Sequence, residues 1–68
     1  MPYILIQITR EGVTTSQKNA LIAGATDLVV RTLSKDPAAT FVVIEEVDTD
    51  NWGVAGQSVT AMRARAAA

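Results

Sequence analysis

The chain has 68 residues, 49% hydrophobic and 19% charged, with six Lys and Arg against seven Asp and Glu for a net charge of −1. That length holds one domain, and the balanced charge gives none of the basic footprint that nucleic acid requires. With no histidine and no cysteine, disulfides, the common zinc constellations, and the Ser-His-Asp and Cys-His nucleophile systems are excluded.

Residues Tyr3 to Thr9 (Tyr-Ile-Leu-Ile-Gln-Ile-Thr) are rich in β-branched side chains. Alternation puts Ile4, Ile6 and Ile8 on one face and Tyr3, Leu5, Gln7 and Thr9 on the other. This is a strand, and its half-apolar second face is expected to be covered by something other than the helix that covers the first. Arg10-Glu11-Gly12-Val13 forms a turn. Thr14 with Gln17 three residues on then has the spacing of a capping box, which predicts a helix starting near Thr15. From Lys18 to Leu33, Leu21, Ala25, Leu28 and Val29 recur at helical spacing, and Lys18, Asn19, Asp27 and Arg31 are expected to face outward. Ile22, Ala23, Val30 and Leu33 widen the apolar stripe and imply burial on more than one side.

Pro37 disfavours helical geometry at Asp36, so the helix ends there and a short turn runs through Ala39. Thr40 to Val47 has too many β-branched residues for a helix and is predicted to be a second strand. Strand, helix and strand spell a right-handed βαβ unit with parallel strands, an α/β fold. Asp48 to Asn51 is a polar turn, and the glycines of Trp52-Gly53-Val54-Ala55-Gly56 suit a short C-terminal hairpin better than a phosphate loop. The Ala- and Arg-rich remainder is open between a short helix and, over residues 61–68, a flexible tail. Residues 1–68 thus form a single domain.

Such a domain is too small to be comfortable alone. Burial contributes on the order of 95 kcal/mol and ordering the chain costs on the order of 100 kcal/mol, so self-association is expected to supply the difference. No apolar run reaches the roughly 18–20 residues of a membrane span, and Met1-Pro2-Tyr3 lacks the basic opening of a secretory signal. The expectation is a soluble, cytoplasmic protein with no membrane and no nucleic-acid partner.

Pro2 is the residue that points to chemistry. Met before a small residue such as Pro is expected to be trimmed, which leaves Pro2 with a free secondary amine. An ordinary α-amino group titrates near 7.7–8.0, and an apolar pocket or a nearby cation would lower that value and poise the amine as a base near neutrality. Taken alone, the same proline also reads as the plain start of an exposed strand.

Pro2 opening a strand, Glu11-Gly12, the helix opening at Gln17-Lys18, Asp36-Pro37, Glu45-Glu46-Val47, and Asn51-Trp52-Gly53-Val54-Ala55-Gly56 together resemble the 4-oxalocrotonate tautomerase family over about residues 2 to 60. The resemblance implies a βαβ unit assembled into hexamers, a site between subunits, and a processed amino-terminal proline that shuttles a proton in an unsaturated 2-oxo acid or similar enol. It makes Pro2 the acid-base amine and Trp52 the aromatic wall, with no cofactor and no metal. Where well-known members carry arginines after the Glu-Gly turn and near the start of the second strand, this chain has Val13 and Phe41. Arg10 then stands as the replacement guanidinium for an anionic group, with the bidentate geometry that carboxylates favour, or as a solvated turn charge. Phe41 makes the pocket more apolar and moves specificity away from a dicarboxylate. Glu45 and Glu46 alternate across their strand, so one at most faces a given pocket. Either one activating water would give a hydratase or dehalogenase on the same scaffold, and a non-catalytic, oligomer-forming subunit is the reading from a different class. Arg31, Arg63 and Arg65 read as solvated or interface charges. Pro2 and Arg10 lie eight residues apart on one strand, roughly 26 Å, so a shared site must take them from different chains.

Overall fold

The computed structural model describes residues 1–67 as strand β1 (Tyr3–Thr9), helix α1 (Thr15–Leu33), strand β2 (Phe41–Val47), a hairpin of β3 (Gly53–Val54) and β4 (Gln57–Ser58), and helix α2 (Val59–Ala67). Strands β1 and β2 pair in parallel with α1 crossing between them, in the register Tyr3↔Phe41 through Thr9↔Val47. The expected α/β unit is therefore present, with its C-terminal hairpin.

Each boundary has a local cause. The capping box that opens α1 is complete: the Thr14 hydroxyl accepts from the Gln17 amide, and the Gln17 side chain accepts from the Thr14 amide at 2.9 Å. Helix α1 ends at Ser34, in the left-handed region at φ 55°. The Asp36 carboxylate then accepts from the Ala38 amide at 2.9 Å, which caps a 3-10 turn over Pro37–Ala39. Thr40 closes that turn by donating its amide to the Pro37 carbonyl, so β2 starts one residue later than the β-branched run suggests. At the far end, Ser58 accepts from the Ala61 amide at 3.0 Å and starts α2. The C-terminal segment is thus helical through Ala67, and Ala68, the last residue of the expected helix or tail, lies outside the described residues.

The sheet has one covered and one bare face. Ile4, Ile6, Ile8, Val42, Ile44 and Glu46 are partly screened on the α1 side, whereas Tyr3, Leu5, Gln7, Phe41, Val43 and Glu45 are exposed on the other. From α1, Ala25, Val29 and Val30 are half-buried. Expectations for both faces of this helix fail. Lys18 does not face outward: its ammonium reaches Glu46 at 2.6 Å across the helix–sheet interface, because a carboxylate on that sheet face has to be paired. Of the residues placed on the apolar stripe, Leu28 and Leu33 are 56% and 57% exposed and Leu21 and Ile22 are exposed as well, since a two-stranded sheet is too narrow to cover the whole apolar arc.

No described residue is fully buried, and the accessible surface is 4881 Å², against about 4,100 Å² for a compact monomer of this size. The radius of gyration is 15.7 Å, where a compact chain of this length gives about 11 Å.

Candidate active site

The four residues singled out by the sequence form two pairs at opposite ends of the sheet. Pro2 precedes β1 and is half-buried. Its carbonyl accepts from the Phe41 amide at 2.9 Å, which fixes the proline against the first residue of β2. Phe41 and its cross-strand partner Tyr3 stand on the bare face, 48% and 62% exposed. An amine freed at this position would therefore sit beside aromatic surface.

Arg10 and Trp52 lie at the other end. The Arg10 amide donates to the Val47 carbonyl at 2.8 Å, extending the strand pairing by one residue. Its guanidinium binds Asp48 through Nε at 2.8 Å and the Glu46 carbonyl through Nη2 at 3.4 Å. Trp52 is half-buried between the 3-10 turn Thr49–Asn51 and β3, and it lines a shallow groove with Gln7, Val47, Asn51 and Gly53. Gln7 is a bare-face residue, so Trp52 and Phe41 flank the same face. Phe41 and Val47 are six residues apart on one strand, roughly 20 Å, so one chain cannot close both pairs around a small molecule.

Charges cluster at the Arg10 end. Glu46 is held below the usual carboxylate range, first by its hydrogen bond to Lys18 against a smaller cost of burial, with the Lys18 and Arg10 charges adding to the shift. Glu11 accepts from Arg63 at 2.7 Å and from the Thr9 hydroxyl, and those two bonds, Arg63 first, hold its carboxyl below the usual range as well. Glu45 points to the bare face opposite Gln7. Only one of the adjacent glutamates therefore meets the helix, as their alternation requires.

The Arg63–Glu11 and Lys18–Glu46 pairs were not legible as partners. Lys18 did leave a trace, because it lies on the inward stripe with Ala25 and Val29. For Arg63 no local signal exists, since its partner is brought to it only by the fold. Among the described residues no group of three or more His, Cys, Asp and Glu comes together to hold a metal ion, and no helix is long and apolar enough to cross a membrane.

Comparison with known proteins decides the family. The sequence pattern of the tautomerase enzymes matches residues 2–62. The chain belongs to the tautomerase family. It is 58% identical over 66 residues to the probable tautomerase K2 of Dickeya dadantii, covering 97% of this chain and 98% of that one. The fold is shared with a solved structure of the 4-oxalocrotonate tautomerase isozymes from Methylibium petroleiphilum, with a TM-score of 0.83 at 40% identity over 98% of this chain and 100% of that one. It is also shared with a heterohexamer 4-oxalocrotonate tautomerase from Chloroflexus aurantiacus, with a TM-score of 0.82 at 27% identity over 93% and 100% of the two chains. The resemblance carried by Pro2, Glu11-Gly12 and Asn51 to Gly56 is borne out, and a tautomerase is an isomerase. The Pro2 and Trp52 positions both fall inside the matched span of this tautomerase.

Proposed function

We propose that this tautomerase moves a proton within a small enol or unsaturated 2-oxo acid, with the freed amine of Pro2 as the base and then the acid. The neutral ring nitrogen takes the enol proton and becomes a cationic secondary ammonium. It then returns a proton to a substrate carbon, leaving the keto form and the neutral amine. Both transfers use one group, so no cofactor is required. Arg10 holds the anionic end of the substrate, and Phe41 and Trp52 supply the apolar walls that disfavour a charged amine.

The observation that carries this reading is the Phe41–Pro2 backbone bond, which seats the proline on the rim of an apolar face inside a tautomerase fold. Hydration or dehalogenation has less support: Glu46 is committed to Lys18, and Glu45 lies four residues along β2 from Phe41. The active unit in this account is a self-associated one, with the hexamer as the expected form. The bare Tyr3, Leu5, Phe41, Val43 face needs a cover, and the two half-sites need a second copy to meet.

Pro2→Ala, with Met1 removal verified by intact mass, is expected to lower turnover of a test enol by a factor of about 10²–10⁴. Unchanged turnover in the assembled variant would place the base elsewhere.

A further inference from the structure

Helix α2 bears on Trp52 directly. Its first residue, Val59, donates its amide to the Trp52 carbonyl at 2.8 Å, and the Thr60 hydroxyl meets that of Thr49 at 2.6 Å. One turn further along, Arg63 crosses to the β1–α1 turn and binds Glu11 at 2.7 Å. Glu11 directly follows Arg10, and its carboxylate also accepts from Thr9. The Arg63–Glu11 pair thus ties together the helix that carries the Trp52 anchor and the turn that carries Arg10.

A nine-residue helix without a strong apolar stripe does not hold itself in water, and α2 packs on the short elements β4 and Thr49–Asn51. Its orientation therefore depends on discrete polar ties: Arg65 donates to the Gln57 side chain at 2.9 Å, back onto β4, and among the described residues the Arg63 bond is the one that leaves this C-terminal segment for the β1–α1 turn.

We infer that Arg63 is a positioning residue for the Arg10–Trp52 half of the site, acting through Glu11 and α2 on the placement of Trp52. This rests on the reading of that half-site as part of the active centre, but its primary test does not require activity. The ion pair is exposed, so its effect is modest in size. It sets the geometry of the site rather than whether the chain folds.

Trp52 is the only tryptophan of the chain, so its fluorescence reports the wall directly. Arg63→Ala is expected to shift Trp52 emission to the red and raise its quenching by acrylamide. Oligomer mass should not change, while KM for an anionic enol rises by about threefold to fivefold. Glu11→Gln, nearly isosteric, should reproduce the change, which covers the case where Arg63→Ala fails to assemble. The double exchange Glu11→Arg with Arg63→Glu, which rebuilds the pair in reverse, should restore the emission. Unchanged Trp52 emission in assembled Arg63→Ala and Glu11→Gln would overturn the inference. A rise in KM without any change in emission would also overturn it, assigning Arg63 to direct substrate contact. If the emission shifts as expected while Pro2→Ala keeps full turnover, the positioning effect stands and the proline reading fails.

Discussion

Ala55 occupies a position that suits another residue. It and Gly56 form the two-residue turn between β3 and β4, at φ 52° and 84°, the left-handed pair demanded by a type I′ hairpin. Glycine adopts that conformation freely, but alanine brings its Cβ too near the carbonyl, at a cost of about 1–2 kcal/mol. Ala55→Gly is therefore expected to raise stability by about 0.5–1 kcal/mol, part of the relief being returned as chain entropy. Urea unfolding at fixed protein concentration checks it, and a lower midpoint would mean that the Ala55 methyl has a packing partner in the assembly. The hairpin itself was legible from the glycines of Trp52 to Gly56, but the strain was not, because it depends on which residue falls at the left-handed corner.

At the scale of elements, local patterns carried the reading wherever the cause is local. Thr14 and Gln17 announce the start of α1 because a capping box is a contact three residues long, and the alternation of Tyr3 to Thr9 marks β1 because the period of a strand is two. The reading weakened where the cause is tertiary. Lys18 looks like a solvent-facing charge until β2 brings Glu46 beneath it, and α2 could be helix or tail until Thr49 and Glu11 arrive from elsewhere in the chain. The Lys18–Glu46 pair has a consequence for pH. Because folding lowers the Glu46 carboxyl below its unfolded value of about 4.3, the pair's stabilisation is fully present above that value. It is lost as pH falls through the lowered folded value. Thermal midpoints taken from about pH 6 down to about pH 3 should fall, and Glu46→Gln should start lower and fall less steeply. An equally steep fall in Glu46→Gln would move the effect to the other lowered carboxylate, Glu11.

At the scale of the whole molecule, a single chain is an incomplete object. Its surface exceeds that of a compact monomer, its sheet has a bare apolar face, and its candidate site residues stand in pairs at opposite ends of the sheet. The need for a partner was legible in 49% hydrophobic content over 68 residues, and the spacing of Pro2 and Arg10 is the ground for proposing a site built from different chains. What the sequence could not supply is the far-end pairing of Arg10 with Asp48, 38 positions away.

Mixing chains tests this arrangement most directly. Pro2→Ala and Arg10→Ala, each shown to assemble and to have little turnover alone, are unfolded, combined in equal amounts and refolded, and the mixed assemblies are verified by native mass. If each site draws its proline from one chain and its arginine from another, random assortment leaves both intact in roughly a quarter of the sites, and turnover should recover to about a quarter of the unaltered protein. Mixed assemblies with no more turnover than either parent would contradict the shared site.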